Sequence, residues 1–260
     1  MIDWSGHRQS TPSIAVNVAS AAVLLTELED RVAAGQGFSV ATLNLDHVVK
    51  MRALPDFHEA YANHSHITAD GNPIVWLSRL SGHQIDLVPG SELIDPICDM
   101  AASLDAPVAF LGSTEASLAE AARVLKGRYP GLTVATCISP PMGFDATGPM
   151  ADACIEQLAA SGARICFLAL GAPKQELFAS YAAPKLPQIG FLSIGAGPDF
   201  VSGVQTRAPK IVRKLAAEWL WRLATNPARF AGRYGKCIAL LPGLLRDALR
   251  ARAVGNKRGQ

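Results

Sequence analysis

Ile165-Cys-Phe-Leu-Ala-Leu-Gly-Ala-Pro-Lys-Gln-Glu176 is the stretch of sequence that decides the fold of this chain. Its apolar run, 165–170, is too short for a typical helix and ends at a glycine, which favours a buried strand. A second buried strand is predicted at Phe191–Ile194 and leads directly into Gly195-Ala-Gly197. Two strands that end in small residues form a rim where a ligand can approach the backbone, so Gly171, Gly195 and Gly197 are candidates for it.

The residues after the first of these strands predict a turn and the start of a helix. Gly171-Ala-Pro173 forms the turn, and Lys174-Gln-Glu176 opens the helix. The N-terminus of a helix favours an anion, and a side chain as long as Gln175 can reach the rim. The alternative, that these are ordinary strand-to-helix turns of any α/β protein, stays open on the turns alone.

The same order of strand, turn and helix occurs earlier in the chain. Pro107–Leu111 is a predicted strand, Gly112-Ser-Thr114 a turn, and Glu115–Leu125 an alanine-rich helix. Successive units of this kind build a doubly wound parallel sheet, so we expect an α/β fold. Gly112 and the hydroxyls of Ser113 and Thr114 are candidates to hold a phosphate or a ribose. The Gly-x-Gly-x-x-Gly spacing of dinucleotide-binding proteins is absent from this turn.

The N-terminal part holds two predicted strands, at Ile14–Val18 and Phe38–Leu43. Thr42 and Asn44 are polar residues at the end of the second strand, where ligand contacts usually lie in an open α/β sheet. The alternative is that Asn44 and Asp46 only cap the helix that follows.

Asp70 and Gly71 form a predicted turn before a helix at Ile74–Leu80. A lone Asp-Gly pair is usually only a turn, so these residues alone do not give Asp70 a catalytic role. His64 and His66 come shortly before, but no cysteine or third histidine completes a metal site of known spacing. The five cysteines are scattered and form no Cys-x-x-Cys pair, which argues against zinc and against a disulfide framework.

The composition predicts a well-packed chain with two differently charged parts. Of the 260 residues, 49% are hydrophobic and 18% are charged, which is ample for a core and argues against disorder. Residues 205–260 carry 13 basic and 2 acidic side chains, whereas residues 1–204 carry 11 and 20. We predict an α/β domain, the expected catalytic part, over 1–204 and a basic appendage over 205–260. Its partner would be an acidic membrane surface or a nucleic acid.

The appendage has the pattern of an element that lies on a membrane. An amphipathic helix is predicted over 207–224, and an apolar run at 238–245 is broken by Pro242-Gly243. Basic residues expected to lie away from the site stand between them, at Arg229, Arg233 and Lys236. The mixture favours contact of residues 207–250 with an anionic bilayer over contact with a nucleic acid or with the core. No apolar run reaches the ~18 residues needed to span a bilayer, and the N-terminus is unlike a signal peptide.

Four motifs occur in order: Thr68-Ala-Asp-Gly71 with Val75-Trp76-x-x-Arg79-x-x-Gly82; Gly171-Ala-Pro-Lys-Gln-Glu176; Gly195-x-Gly-x-Asp-Phe200-x-x-Gly203; and Arg207-Ala-Pro209 with Glu218-Trp-Leu-x-Arg222. Together they resemble the signature of the WecG/TagA/CpsF glycosyltransferases, which form glycosyltransferase family 26. The resemblance covers about residues 40–236. No single motif is specific, but the ordered set is.

The resemblance implies a Rossmann-like α/β fold with a C-terminal appendage that meets the membrane. It implies sugar transfer from a UDP-sugar, with N-acetylmannosamine or glucose as the donor sugar, to a polyprenyl-diphosphate-linked sugar. The transfer would invert the anomeric centre and use no metal or other cofactor. It would serve bacterial surface polysaccharide synthesis, such as that of an exopolysaccharide, at the cytoplasmic face of the inner membrane. A homo-oligomer is left open, and no nucleic-acid partner is expected.

The resemblance also suggests roles for individual residues. An inverting transfer needs a base for the acceptor hydroxyl, for which Asp70 is the candidate and Asp199 the alternative. Thr42, Asn44 and Gln175 offer neutral hydrogen bonds to the donor sugar and its phosphates. The substrate-binding candidates are Gly71, Arg79, Gly112, Ser113, Gly171, Pro173, Lys174, Glu176, Gly195, Gly197, Asp199 and Arg207.

Two departures from the family pattern matter, and the second concerns the leaving group. The family has Thr-x-Asn-Pro-Glu where this chain has Thr42-Leu-Asn-Leu-Asp46, and it often has an arginine where this chain has Leu87. That arginine is expected near the diphosphate, so we expect a neighbour such as Arg79 or Lys174 to replace it.

Two other functions stay open on the sequence. The first is a nicotinamide-dependent oxidoreductase on a doubly wound sheet, against which the missing glycine fingerprint counts. The second is a non-catalytic module that docks on membranes through its tail, against which Asp70 and Gln175 count.

Overall fold

A computed structural model describes residues 2–4, 13–205, 218–225 and 227–258 of the chain. In this part of the chain, six strands form one sheet in which every pair is parallel. The strands are β1 (Ser39–Leu43), β2 (His66–Ala69), β3 (Val108–Gly112), β4 (Val134–Ile138), β5 (Ile165–Ala169) and β6 (Gly190–Ser193). Their order across the sheet is β2-β1-β6-β5-β3-β4. The predicted α/β class with a parallel sheet is confirmed.

Helices cover both faces of this sheet, and the described residues toward the C-terminus are helical as well. They are α1 (Ala21–Ala33), α2 (Leu45–Ala53), α3 (Pro55–Ala62), α4 (Asn72–Ser81), α5 (Ile94–Ser103), α6 (Glu115–Arg128), α7 (Pro149–Ser161), α8 (Lys174–Ala182), α9 (Gly197–Val201), α10 (Glu218–Thr225) and α11 (Pro227–Arg258). A short 3-10 helix lies at Gly90–Glu92.

Except for β4 at one edge of the sheet, the strands are mostly buried, which explains why their sequences are rich in apolar residues. On one face, Phe110 and Phe167 stack at 5.0 Å between ring centroids and pack in one core cluster with α1, α5 and α6. On the other face, Cys166 and Leu168 pack with α7 and α8. The β1 and β2 end of that second face is covered by α2, α3 and α4.

The long C-terminal helix α11 packs on α2 and α4. Leu244 and Ala248 are buried in the cluster that these helices share. The expected break at Pro242-Gly243 is wrong, because α11 runs through both residues. A proline inside a helix loses one backbone hydrogen bond, and we attribute the continuity of α11 to the apolar contacts of Leu240 and Leu244 on either side of it.

Other local predictions have mixed outcomes. The strands expected at Phe38–Leu43, Pro107–Leu111 and in the organising stretch are present as β1, β3, β5 and β6. The strand expected at Ile14–Val18 is wrong, since Ile14 forms only an isolated bridge with Ile2. Residues 207–217 of the predicted amphipathic helix lie outside the described residues, and α10 covers its end. The division of the chain at residue 205 stays a prediction.

The packing of α11 predicts that neighbouring leucines on it differ sharply in their contribution to stability. Leu244 is 3% exposed and Leu245 is 47% exposed. Leu244→Ala leaves a cavity between α11 and the body, so we expect it to lower the free energy of unfolding by roughly 2–4 kcal/mol. Leu245→Ala should change it by less than about 0.5 kcal/mol. Urea unfolding of both variants measures this, and equal losses would mean that α11 does not dock through Leu244.

Candidate active site

A cavity of about 580 Å³ opens at the carboxyl ends of β1, β2 and β6, beside the loop that follows β5. Residues of α11 complete its wall. β1 lies at the topological switch point of the sheet, because the chain leaves it to form β2 on one side and later returns to form β6 on the other. Crevices at topological switch points are the usual ligand sites of open parallel sheets, and the volume of this cavity suits a small molecule.

Asp70 lies in the cavity wall directly after β2. Its backbone N–H donates to the Leu43 carbonyl at 2.8 Å, which extends the pairing of β1 with β2 by one residue. The Thr42 hydroxyl donates to Asp70 Oδ2 at 3.5 Å. Gly71 then turns the chain into α4 with a φ of 150°, which residues with a side chain rarely adopt. Strand pairing and this turn together hold the carboxylate in the cavity.

Asn44 follows β1 and is held from behind by a buried histidine. Its Oδ1 accepts the His47 N–H at 3.1 Å and caps α2, as the capping alternative predicted. The Nδ2 atom of Asn44 lies 3.4 Å from His47 Nε2, and the Tyr61 hydroxyl lies 3.1 Å from His47 Nδ1 on the other side of the ring. Burial, with the charge of Lys50 nearby, lowers the pKa of His47 to about 3, so the ring is neutral.

Gln175 is fixed at both ends of its side-chain amide. Its Oε1 accepts the Gly195 N–H at 3.2 Å, and its Nε2 donates to Glu176 Oε1 at 2.8 Å. Glu176 is fully buried, and its Oε2 has no hydrogen-bond partner among the described residues. Burial raises the pKa of Glu176 to about 7, against the opposing effects of the Gln175 hydrogen bond and the Lys50 charge. Glu176 therefore supports Gln175 from behind while Gln175 lines the cavity.

Asp46 joins two cations next to the cavity. Its Oδ1 lies 2.9 Å from Arg233 Nε on α11, and its Oδ2 lies 2.9 Å from Lys50 Nζ on α2. Lys50 also donates to the Ala172 carbonyl at 2.9 Å, which ties α2 to the loop after β5. Of the two residues in the capping alternative, Asn44 supplies the side-chain cap of α2, and Asp46 lies in the first turn of the helix and pairs with the two cations.

Asp199 belongs to a separate cluster at the end of β3. Its Oδ1 accepts the Ser113 hydroxyl at 2.6 Å and the Ser117 hydroxyl at 2.7 Å. Its Oδ2 accepts the Gln205 amide at 2.8 Å. The carboxylate thus joins α9 to the first turn of α6, the place where a bound anion was expected. Gly112 precedes this cluster, and neither Gly112 nor Ser113 lines the cavity.

The structure brings together seven of the predicted site residues on the cavity wall: Thr42, Asn44, Asp70, Gly71, Gly171, Gln175 and Gly195. It places eight others off that wall: Arg79, Gly112, Ser113, Pro173, Lys174, Glu176, Gly197 and Asp199. Arg79 contacts Asp86 at 3.8 Å and donates to the Ile85 carbonyl at 3.2 Å. Arg207 lies outside the described residues.

Sequence reasoning missed several residues of the cavity wall. Arg233 was expected away from the site, but it lines the cavity. Leu87 and Trp76 line it as well, together with Ile238 of α11. Trp76 belongs to one of the four motifs but was not predicted to contact a ligand. No local pattern signals Arg233 or Ile238, because they reach the cavity through the docking of α11.

Among the described residues, no three His, Cys, Asp or Glu side chains are grouped so that they could hold a metal ion. None of the helices in the described residues has the length and apolar character needed to cross a membrane.

The chain is an α/β protein with a cavity at the topological switch point of a parallel sheet, and sequence comparison gives its class. The chain matches the glycosyl transferase WecG/TagA/CpsF family over residues 11–257 and belongs to it. It is therefore a glycosyltransferase, and this membership decides against the oxidoreductase alternative.

One similar protein is the N-acetylglucosaminyldiphosphoundecaprenol N-acetyl-beta-D-mannosaminyltransferase of Bacillus spizizenii. The two are 28% identical over 198 residues, which cover 75% of this chain and 74% of the relative.

The buried Glu176 predicts a pH-dependent difference between the chain and its Glu176→Gln variant. Because the pKa rises from 4.5 to about 7 on folding, the folded chain keeps a proton in that window that the unfolded chain has lost. This contribution to stability is full below pH 4.5 and is lost as the pH rises through 7. The glutamine side chain of the variant cannot ionise. The free energy of unfolding of the variant, relative to that of wild type, should therefore rise by about 3 kcal/mol between pH 4.5 and 8.

Urea unfolding of both proteins across this range measures the difference. His47 contributes in the opposite sense, because its pKa is lowered on folding, but it is present in both proteins and cancels. A difference that stays constant with pH would show that Glu176 does not titrate in this window.

Proposed function

We propose that this chain is an inverting glycosyltransferase that moves a sugar of the N-acetylmannosamine or glucose class from a UDP-sugar to a polyprenyl-diphosphate-linked sugar. The observation that carries the proposal is the Asp70 carboxylate in the cavity, beside the Thr42 hydroxyl and on one wall with the amides of Asn44 and Gln175. The family match and the acceptor in the relative's name support the same class of substrate.

Asp70 serves as the general base of a single displacement. The acceptor hydroxyl attacks the anomeric carbon on the face opposite the diphosphate, and Asp70 takes its proton. The bond from the anomeric carbon to the diphosphate oxygen breaks, and UDP leaves with the electron pair. One displacement inverts the anomeric centre and needs one base. The contacts of Asp199 support Asp70 over it, because serine hydroxyls and the Gln205 amide already bond both Asp199 oxygens.

Arg233 is our candidate to stabilise the departing diphosphate. Among the described residues that line the cavity, it is the one arginine or lysine. Arg79 and Lys174, the substitutes expected for the residue at Leu87, do not line it. A guanidinium offers paired N–H donors that suit phosphate oxygens, and such contacts strengthen as negative charge develops there. The cation would supply charge neutralisation without a metal.

The amides of Asn44 and Gln175 hold the donor. Both are neutral, and the His47 and Glu176 contacts behind them restrict their orientation. Fixed donors and acceptors can hold the sugar in line with the attacking hydroxyl, which lowers the entropic part of the barrier. The enzyme would act as a peripheral protein at the cytoplasmic face of the inner membrane, in exopolysaccharide or related synthesis. The basic residues of 205–260 support contact with the anionic surface of that membrane. The proposal holds for a monomer and for a homo-oligomer.

Asp70→Asn tests the base. The amide keeps the shape of the side chain but cannot accept the proton, so turnover should fall at least ~100-fold. Affinity for the UDP-sugar should change little. The matched control is Asp86→Asn, because Asp86 is an exposed carboxylate that pairs with Arg79 outside the cavity. Turnover of Asp70→Asn within a few-fold of wild type would remove the base role from this residue.

A panel assay tests the reaction itself. Purified protein is incubated with UDP-sugars and a synthetic polyprenyl-diphosphate N-acetylhexosamine, in excess EDTA, and products are identified by mass spectrometry. We expect one hexose or N-acetylhexosamine added to the acceptor, with the anomeric configuration inverted by NMR. The absence of product with every donor would contradict the transfer proposal. Activity lost in EDTA and restored by magnesium or manganese would contradict its metal independence.

A further inference from the structure

The cavity has an apolar mouth, formed by Trp76, Leu87 and Ile238. These side chains are 58%, 40% and 58% exposed, yet all three line the cavity that contains Asp70. They come from three elements, since Trp76 lies on α4, Ile238 on α11, and Leu87 in the segment bridged to the end of β2. Large apolar side chains grouped at the opening of a cavity mark a surface for an apolar ligand.

The exposure of Trp76 is not a general feature of its helix. Ile74, Val75 and Leu77 on the same turns of α4 are buried in the core. Trp76 alone of this group projects to the mouth, so the helix has an apolar residue on its cavity side as well as its core side. Exposing a ring of this size in water is unfavourable, and covering it with hydrocarbon would release that cost.

The polarity of the cavity changes along α11. Arg233 lies beside the polar wall, and Ile238 lies five residues later, which is about 7.5 Å along the helix axis. Leu241 continues the apolar side one turn farther on. A ligand that fits this gradient carries a charged phosphate group next to a hydrocarbon chain.

We propose that the apolar mouth binds the first isoprene units of the acceptor's own chain. The inference rests on the proposed function, in which the acceptor is a polyprenyl-diphosphate-linked sugar. The mouth would orient the acceptor with its sugar hydroxyl toward Asp70 and its chain leaving between α4 and α11. The protein would then recognise the lipid as a substrate element, separately from any contact with the bilayer.

Continuity with the cavity argues for the acceptor chain as the occupant. The three mouth residues share one wall with Asp70 and Arg233, which act on the sugar and diphosphate ends of substrates in the proposed function. Exposed apolar side chains farther along α11, such as Leu249 and Val254, do not line the cavity. They provide matched controls for general effects of apolar surface on this helix.

The test compares ligands that differ only in the hydrocarbon. Farnesyl diphosphate and methyl diphosphate are titrated in the absence of membranes, below the concentration at which the farnesyl compound aggregates, by calorimetry. Wild type should bind the farnesyl compound at least ~10-fold more tightly than the methyl compound. A Trp76→Ala/Ile238→Ser variant should lose this preference, whereas Leu249→Ser should keep it. Binding of methyl diphosphate should be the same in all three proteins.

The kinetic arm uses one N-acetylhexosamine diphosphate carried on a farnesyl or on a methyl group. The double variant should lower kcat/KM about tenfold for the farnesyl acceptor and leave it within twofold for the methyl acceptor. Because the mutated side chains are exposed, melting temperatures should match that of wild type.

Any of four results would overturn the proposal. Wild type could bind both diphosphates equally, or the double variant could keep the farnesyl preference. The double variant could also lose sedimentation with anionic liposomes while it binds farnesyl diphosphate as wild type does, which would assign the mouth to the bilayer. The binding arm uses no donor sugar, so its outcome is independent of whether sugar transfer is detected. Transfer to both acceptors at equal kcat/KM in wild type would support the proposed function and contradict binding of the isoprene chain at the apolar mouth.

Discussion

The parallel pairing of β1 with both β2 and β6 is the constraint on which the site depends. It brings together chain segments that the sequence separates widely, because β1 and β2 come early and β6 comes last among the strands. Parallel strands end at one edge of a sheet, so Asn44, Asp70 and Gly195 become neighbours there. The register that places Thr42 opposite Thr68 sets the Thr42 hydroxyl beside Asp70. A slip of one residue would turn Thr42 to the opposite face.

Much of this edge could be predicted, since its residues follow apolar runs that are recognisable as buried strands. Thr42, Asp70 and Gln175 were predicted at this edge in this way, and all three line the cavity. Arg233 and Ile238 could not be found, because they reach the cavity through the docking of a helix. The contact of Ser113 could not be predicted for a related reason. Its turn has the composition of a phosphate-binding loop, but its hydroxyl donates to Asp199, which lies on the helix after β6.

The Gln175-Glu176 pair shows how a short motif combines two kinds of residue. Gln175 lines the cavity, and Glu176 lies behind it with no access to a ligand. A buried carboxyl costs stability when it ionises, and burial raises the pKa of Glu176 to about 7. Adjacent residues therefore differ in role, since Gln175 faces the cavity and Glu176 holds Gln175 in place. The sequence alone would assign ligand contacts to both.

The ion pair of Asp46 with Arg233 bears on the end of the proposed catalytic cycle. A diphosphate that binds Arg233 in the proposed reaction must compete with Asp46 for the guanidinium. Competition of this kind would weaken the hold on a nucleotide product more than an isolated cation would. Asp46 would take the guanidinium back as the nucleotide departs. Weak product binding would limit inhibition by that nucleotide, so the carboxylate would favour turnover over affinity.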